Sequence, residues 1–398
     1  MCSVVFFKGH HVENEKFQKI ALIVLSFLQI AVSVLCLNSL SRIENWSAVY
    51  AEDSTGYLLV ADYFSGSDIA PENIPVMRYR LFSPAIPCVA SLLGKIVGIP
   101  AAFLMVNILL WIATVLIFYE LLKILLRDNF SAFIGGAVLT TSLPFIEWGL
   151  PIMVDMGSYF FAALIPLLYL KFFHLHPSRE RKHDNPPSPG SRRLKVGVYI
   201  YKSIILSVCI GLAILTKPLL VILLLFALLF FLSEKRYGSA LITFFIPVVL
   251  VAGVYSLFNL SVKDFASFGT PRHRGAVYLV SAACFCFHWG WIYFAKGWKA
   301  ASENRKFYLL YLVSFILPYL FFVHNPRLFF LSYPAVIPLI AQGLKKQCEH
   351  VRNQYRTGLV LLGGYIITSN LLTIFHLYVM RCLKIRGWGG LVGFFLSR

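Results

Sequence analysis

The sequence predicts an all-α polytopic membrane protein of about 11 transmembrane helices, and three observations support that prediction. Hydrophobic residues make up 58% of the 398 residues, charged residues make up 14%, and the mean hydropathy is +0.74. Apolar runs of about 20 residues recur along the chain, and that length spans a bilayer. The charged residues are concentrated between those runs, as expected for loops at a membrane surface.

The individual runs define the predicted elements. The first run, 17–37, is too long for the core of a signal peptide and lacks a small-residue cleavage site, so we expect a retained span. Segment 83–97 is short and proline-rich, which predicts a juxtamembrane or re-entrant helix rather than a crossing. The other ten predicted spans are 99–122, 130–145, 156–173, 196–215, 219–232, 240–260, 276–294, 307–323, 328–344 and 358–379. We therefore expect a bundle over 1–345 with an external loop at 38–98, followed by a C-terminal span and interfacial tail over 346–398.

The basic residues predict how the bundle is oriented. Of the 36 Lys and Arg residues, 23 fall in segments assigned to the cytoplasm, nine fall outside and four lie in the tail. By the positive-inside rule, this bias predicts a cytoplasmic N-terminus in a plasma or inner membrane. Counting 83–97 as a span would reverse every later loop and destroy the bias. The four tail residues oppose it, so either the tail is interfacial or one late segment is miscounted.

Two function classes are disfavoured by composition. The net charge of +18 does not indicate nucleic-acid binding, because the basic residues are spread over short loops and form no continuous basic groove. The eight cysteines show no CxxC or Cys/His ligand spacing, so neither a disulfide framework nor a zinc site is predicted. No cofactor follows from the sequence, and a requirement for a divalent cation is left open.

The charge pattern of the first external loop is typical of a reaction site. The adjacent carboxylates Glu52 and Asp53 open its polar stretch, and the basic pair Arg78 and Arg80 closes it. Charges near membrane depth are costly and tend to face a cavity or a partner. The loop can instead be a solvated connector, and that interpretation is the expected one for its remaining acidic residues, Asp62, Asp68 and Glu72.

Three further ionisable residues lie at predicted external span ends. Asp155 follows a short turn, Arg327 precedes a proline-containing span, and Lys217 interrupts the apolar stretch AILTKPLLVILL. A lysine at such a position either reaches to the membrane surface for solvation or has a functional role, and the sequence leaves both open. All three are predicted on the same membrane face as the first loop.

This order of motifs resembles the GT-C membrane glycosyltransferases, the superfamily of protein O-mannosyltransferases and aminoarabinose transferases. Those enzymes carry an acidic motif just after the first span, where Glu52 and Asp53 stand, and then a basic, proline-containing segment, which RYRLFSP at 78–84 matches. A second acidic residue before the fourth span, a leucine-rich run broken by Thr-Lys and a late arginine follow, matched by Asp155, Lys217 and Arg327. The resemblance covers roughly residues 17–345.

The resemblance implies a function and a set of site residues. It implies transfer of a sugar from a polyprenyl-phosphate donor to an acceptor on the extracytoplasmic face, with membrane lipid around the donor tail. The implied catalytic carboxylates are Asp53, Glu52 and Asp155, and the implied donor-phosphate ligands are Arg78, Arg80, Lys217 and Arg327. The chain lacks a sizeable soluble C-terminal domain and a Trp-Trp-Asp-type motif, so the acceptor class (glycan, lipid or protein) stays open.

Two other classes remain as alternatives. A polytopic transporter, or a flippase or polymerase of lipid-linked glycans, would also have many spans with charges inside the bundle. The sequence shows no repeat between its halves, and its clearest charges lie at span ends, which favours the transferase. A non-catalytic membrane scaffold would use the mixed charges of the first loop to bind a partner.

Overall fold

The computed structural model describes residues 15–41, 54–174, 189–261, 283–284, 286–322, 326–349 and 354–396, and the regular secondary structure within them is helical. The α-helices are, in chain order, α1 Glu15–Ser41, α2 Ser54–Ser65, α3 Ile74–Arg80, α4 Ala85–Val97, α5 Ile99–Leu126, α6 Asn129–Thr140, α7 Leu143–Gly149, α8 Asp155–Tyr169, α9 Pro189–Thr216, α10 Val221–Ser233, α11 Tyr237–Leu257, α12 Trp291–Ala300, α13 Arg305–Phe322, α14 Pro326–Phe329, α15 Tyr333–Cys348 and α16 Gln354–Leu396. The all-α polytopic fold class predicted from the sequence is confirmed.

Six of these helices are long and apolar enough to cross a membrane: α1, α5, α8, α9, α11 and α16. Two bent pairs of helices raise the number to as many as eight within the described residues. The expected count of 11 spans stays a prediction.

One bent pair lies where the sequence predicted a re-entrant segment. α4 is only 13 residues long, about 20 Å at 1.5 Å per residue, against a hydrocarbon core of about 30 Å. It turns by 120° from the helical segment 71–80. Ile86 and Ala90 are buried against the protein, whereas Leu92 and Ile96 are 61% and 84% exposed. α4 is thus a separate short helix with one face on the bundle.

The other bent pair was not predicted. The run 130–145 divides into α6 and α7, which meet at a 50° bend at Thr141 and Ser142. Pro144 lies in the first turn of α7, where its missing N–H costs no helical hydrogen bond, but it cannot continue a helix from α6. As a result the short turn predicted before Asp155 is partly helical, and Glu147 lies inside α7.

The end of the bundle predicted to be cytoplasmic is held by ion pairs. Glu15 and Glu120 bridge Lys19 and Lys123 between α1 and α5, with Glu15 lying 2.7 Å from both lysines. Asp128 caps the N-terminus of α6 by accepting from the Ser131 backbone N–H. These contacts fix one end of the 28-residue α5, about 42 Å from its start. The candidate site lies at the other end.

The last helix differs from its prediction in length. α16 contains 43 residues, about 64 Å at 1.5 Å per residue, or roughly twice the thickness of a hydrocarbon core. The sequence predicts a span ending near 379 and then an interfacial tail, whereas the helix continues unbroken through Leu396. The membrane side of the residues beyond 379 stays a prediction.

Candidate active site at the predicted external end

The centre of the candidate site is an ion pair between Asp155 and Lys217, residues that are 62 positions apart in the chain. Asp155 is the first residue of α8, and Lys217 directly follows the last residue of α9. The Asp155 side chain is 2% exposed and that of Lys217 is 14% exposed. Because desolvation makes an unpaired charge costly, each charge offsets part of the cost of burying the other. The sequence placed both residues at the external end but did not predict their contact.

Local sequence explains why the lysine lies at a helix junction. Lys217 precedes Pro218, and the residue before a proline is driven out of the helical region into an extended conformation. Its backbone accordingly has φ −158° and ψ 120°, and a short 3₁₀ turn over Pro218–Leu220 then leads into α10. The chain therefore interrupts an apolar run at this residue and brings its side chain to the start of α8.

A buried asparagine holds the segment that leads to Asp155. Asn107, on α5, is fully buried, and its amide nitrogen donates to the Pro151 carbonyl at 2.7 Å and to the Met153 carbonyl at 3.4 Å. A carboxylate in the first turn of a helix is also stabilised by the helix dipole. The position of Asp155 is therefore fixed by α5 as well as by its own helix.

Close packing brings a third helix to the same place. A Cβ built on Gly157 would lie 2.8 Å from Cγ2 of Thr216 and 3.0 Å from Cδ1 of Ile86. Only a glycine lets α8 approach α9 and the start of α4 this closely. The chain immediately before α4 carries the Arg-Tyr-Arg cluster, so this contact brings that cluster to the end of the bundle that holds the ion pair.

At this end of the bundle the guanidinium of Arg80 lies against two aromatic rings. Its guanidinium carbon lies 5.0 Å from the ring centroid of Tyr57 and 4.9 Å from that of Tyr79, and Nη1 donates to the Tyr57 hydroxyl at 3.4 Å. Gly56 makes room for the arginine, since a Cβ there would be 2.7 Å from its Cγ. The planar cation is thus stacked and oriented, which suits recognition of a phosphate or carboxylate.

Tyr57 also connects Arg80 to the ion pair. It is 4% exposed and belongs to one buried cluster with Ile86 of α4 and Val154, the residue before Asp155. A continuous apolar layer therefore lies beneath both the stacked arginine and the Asp155–Lys217 pair. Two of the predicted phosphate ligands and one predicted carboxylate share this end of the bundle.

Arg78 has a different environment. Its Nη2 donates to the backbone carbonyl of Asn259 at 2.7 Å, just beyond the end of α11. Next to it the Tyr255 hydroxyl donates to the Phe82 carbonyl at 3.0 Å, and the Tyr255 and Phe82 rings meet edge to face with centroids 5.0 Å apart. Arg78 and Tyr255 together fasten the α3 segment to the end of α11. The assignment of Arg78 to the phosphate stays a prediction.

Arg327 lies in α14, and its backbone position follows from its neighbours. Phe330, three residues later, is fully buried against the ring of Tyr159, one turn into α8, with centroids 5.3 Å apart. The Tyr333 hydroxyl then donates to the Tyr159 carbonyl at 2.6 Å. From there α15 leads away to Lys345, which pairs with Asp128 at the opposite end. Arg327 thus belongs to the half of the molecule that holds Asp155, and its role stays a prediction.

Glu52 and Asp53 lie outside the described residues, so their catalytic assignment stays a prediction. Asp53 is one peptide bond before Ser54, the fully buried first residue of α2, and α2 is the helix that carries Gly56 and Tyr57. Of the other acidic residues in this loop, Asp68 and Glu72 are exposed, as expected for solvated side chains. Asp62 is half-buried, and burial raises the pKa of its carboxyl above the ordinary value.

Five residues that help to build the candidate site were not identified from the sequence: Gly56, Tyr57, Asn107, Gly157 and Tyr255. Asn107 gives a usable signal, because a lone amide inside an apolar span needs a buried hydrogen-bond partner. The glycines give none, since the requirement for a small residue comes from a helix that is distant in the chain.

The described part of the site does not fit a metal ion. Within the described residues no group of three or more His, Cys, Asp or Glu side chains could hold one. Asp155, a predicted carboxylate of this end, is paired with Lys217, whose positive charge would repel a cation. We therefore derive no step through a divalent cation.

The arrangement of helices is similar to that of two solved proteins, ArnT and an oligosaccharyltransferase, and this similarity shows the fold. ArnT from Cupriavidus metallidurans bound to undecaprenyl phosphate aligns with a TM-score of 0.56 and 15% identity, over 92% of this chain and 77% of ArnT. The Archaeoglobus fulgidus oligosaccharyltransferase in complex with Zn and sulfate aligns with a TM-score of 0.54 and 12% identity, over 88% of this chain. No protein-family model and no curated protein matches the sequence.

The structural similarity establishes the fold, but at this level of sequence identity it does not establish the reaction. The chain spans about half of the oligosaccharyltransferase, since the alignment covers 53% of that protein. It spans most of ArnT, whose structure was solved with bound undecaprenyl phosphate.

Proposed function

We propose that this protein is a membrane glycosyltransferase that moves a sugar from a polyprenyl-phosphate donor to an acceptor hydroxyl at the external membrane face. The observation that supports this most is the buried Asp155–Lys217 pair on a GT-C fold, with Arg80 stacked above the same apolar layer. A cation held at membrane depth is positioned to meet the phosphate of a lipid whose tail lies in the bilayer. The Zn in the oligosaccharyltransferase complex belongs to that protein.

The chemistry balances with the residue types available. The acceptor oxygen forms a bond to the anomeric carbon, while the bond from that carbon to the phosphate oxygen breaks. Polyprenyl phosphate leaves with the bonding electrons, and a carboxylate takes the proton of the acceptor hydroxyl. Charge grows on the phosphate as it leaves, so cations fixed beside it stabilise the transition state more than the ground state.

Each residue has a role in this scheme. Asp53 is the base and Glu52 its neighbour, able to take the same role if it is the one that points inward. Lys217 and Arg80 bind the phosphate, Lys217 as a point charge and Arg80 through the planar donors of its guanidinium. Asp155 acts through Lys217, by keeping that ammonium charged and in place. Arg327, which belongs to the half of the molecule that holds Asp155, is a further phosphate ligand.

The direct test is a release assay. Purified protein in detergent or nanodiscs is given a panel of polyprenyl-phosphate sugars with radiolabelled lipid phosphate, together with candidate acceptors. The expected result is protein-dependent formation of free polyprenyl phosphate and of an acceptor carrying the sugar. Donor binding, measured separately by native mass spectrometry, should weaken in Lys217→Ala and Arg80→Ala.

A matched variant separates chemistry from binding. Asp53→Asn keeps the size and the hydrogen-bonding capacity of the side chain, so it should still bind the donor while releasing little product. Binding of lipid-linked sugars without release by any variant, together with movement of the intact lipid between leaflets in proteoliposomes, would replace the transferase with a flippase.

A further inference from the structure

A second concentration of positive charge lies at the opposite end of the bundle, around Arg236. Its guanidinium carbon lies 5.2 Å from the centroid of the Tyr199 ring and 5.6 Å from that of Phe173. Nε is 2.9 Å from the Glu234 carboxylate, and Nη2 donates to the Phe173 carbonyl at 3.4 Å. The arginine is held in one orientation, and its side chain remains 29% exposed.

Lys202 completes the site from α9. Its ammonium donates to the Phe172 carbonyl at 3.2 Å and lies 5.9 Å from the centroids of Phe172 and Tyr199. Those carbonyls belong to the π-helical turn Leu170–His174 that follows α8, where helix-end carbonyls lack helical partners. Arg236 and Lys202 therefore flank the same tyrosine ring, each anchored to the backbone and to aromatic faces.

Further cations surround this pair, and acidic groups are few. Lys171, Lys235 and Lys306 are all exposed, and Lys306 lies 5.3 Å from the ring of Phe230. Within the described residues Glu234 pairs with Arg236, and no acidic side chain forms an ion pair with Lys202, Lys235 or Lys306. The corner formed by the ends of α8 and α10 and the starts of α11 and α13 is thus strongly positive.

The outer side of the same corner exposes aromatic and apolar side chains. Tyr201 and Tyr237 are 65% and 61% exposed, and Leu241, one turn further along α11, is 58% exposed. Tyrosines are enriched at the boundary between headgroups and hydrocarbon. α11 is the least buried of the long helices, with 17% of its most apolar window buried in the protein. The positive corner therefore lies at headgroup depth beside an open, lipid-facing surface.

From this geometry we infer that Arg236 and Lys202 form a binding site for the headgroup phosphate of an anionic phospholipid in the leaflet on that side. The phosphate binds the outward donors of the guanidinium and the ammonium, the surrounding lysines attract the headgroup, and the acyl chains lie along α9 and α11. A lipid fits better than a free phosphate, because the apolar surface continues directly from the charges into the bilayer. The inference does not depend on glycosyl transfer.

A comparison of two lipids tests this inference. Purified protein is titrated in detergent with phosphatidylglycerol or with phosphatidylcholine of the same chains, and bound lipid is counted by native mass spectrometry. Phosphatidylglycerol should bind preferentially. In Arg236→Gln/Lys202→Gln its binding should fall by about 25-fold, since each cation near a membrane surface contributes roughly a factor of five.

The control uses a cation of the same membrane face. Arg127 is 74% exposed and paired with Glu303 at 2.8 Å, so Arg127→Gln removes one charge without touching the proposed site and should bind phosphatidylglycerol normally. Lys202→Gln alone gives the same readout if the double variant does not fold. Equal retention of both lipids by the native protein, or normal phosphatidylglycerol binding by the Lys202 variant, would overturn the inference, and competition by inorganic phosphate without lipid selectivity would make this an ion site instead.

Discussion

Asp155 and Lys217 form a buried ion pair that joins the first residue of α8 to the residue after α9. Lys217 lies where Pro218 interrupts the helix, and Asn107 of α5 holds the segment before Asp155. The pair therefore reports on the correct packing of three helices as well as on the charge of the site. The first prediction uses that double role.

Breaking the pair should destabilise the protein, and repairing its charge balance should not restore function. Lys217→Met or Asp155→Asn leaves one charge buried without its partner, at a cost of about 3–5 kcal/mol. The double variant removes both charges and should recover much of that loss in thermal unfolding. If Lys217 binds the donor phosphate, donor affinity should remain low in the double variant. Recovery of stability and donor binding together would give the pair a purely structural role.

Gly56→Ala should act on the site through Arg80. The added Cβ would lie 2.7 Å from Cγ of Arg80, so the arginine must leave its place between Tyr57 and Tyr79. The lost cation–π contacts amount to about 0.5–2 kcal/mol, and donor affinity should fall together with stability. Arg80→Lys should rescue only part of it, because an ammonium lacks the planar fork. Thr55→Ala, an exposed position one residue earlier, is the matched control and should be nearly silent.

Asp53→Asn should reduce the transfer rate by roughly 100-fold or more, which is the scale of a lost general base. Donor binding and thermal stability should be close to native, because the amide keeps the shape of the carboxyl. Rates from single-turnover release of polyprenyl phosphate provide the measurement. Asp68→Asn, an exposed change in the same loop, is the control, and loss of activity in that variant instead would place the base elsewhere.

The ionisation of Asp128, at the end of the bundle opposite the candidate site, should make the stability of the protein depend on pH. Burial raises the pKa of its carboxyl, but hydrogen bonds from Ser131 and the charge and hydrogen bond of Lys345 outweigh that, so the net pKa is below its ordinary value of about 3.8. A depressed carboxylate pKa stabilises the fold above the unfolded pKa and loses that stabilisation as pH falls through the folded pKa. Asp128→Ala should therefore cost about 1 kcal/mol near neutral pH, as a lost helix cap. The difference from native should shrink below about pH 4.

Asp128→Asn separates the two contributions, because asparagine is also a good N-cap but carries no charge. It should retain the neutral part of the cap at every pH and lack only the charge-dependent part, so its stability and that of the native protein should converge as pH falls below about 4. A pH-independent difference between native protein and Asp128→Ala would contradict this account.

The membrane orientation can be read with single cysteines. In a background without other reactive thiols, cysteines at 123, 345 and within 174–195 should be protected from an impermeant reagent in intact cells, whereas those at 53, 327 and the exposed position 72 should react. The charge bias is the reason for this expectation. Labelling of the 174–195 segment from outside would invert the whole arrangement.

The sequence predicts the elements of this fold better than their contacts. Apolar runs located α5, α8 and α11, because length and hydropathy alone decide which segments enter a bilayer. The Lys217-Pro218 step correctly marked an interruption, since the rule for residues before proline is local. The pairing of Lys217 with Asp155 is decided by packing at Gly157, which depends on residues from two other helices.

Two other features of the structure were not predicted from the sequence, for related reasons. The 50° bend at Thr141 and Ser142 lies inside a run that is apolar throughout, so hydropathy carries no signal of it, and Pro144 alone did not predict it. The attachment of Arg78 to the Asn259 carbonyl joins residues 181 positions apart through a backbone atom. Sequence patterns describe side chains, so a contact with a main-chain carbonyl leaves little trace in them.

The attachment of α3 to α11 has a mechanical consequence. α11 contains 21 residues, about 32 Å, so its length closely matches the hydrocarbon thickness of a bilayer, and only 17% of its most apolar window is buried in the protein. A thinner or thicker bilayer makes such a helix tilt or shift. The end of α11 that is predicted to be external holds the α3 segment through Tyr255 and Asn259, and Arg80 is the last residue of α3. We therefore expect acyl-chain length to affect the position of the Arg80 guanidinium, because those two contacts join α11 to the α3 segment.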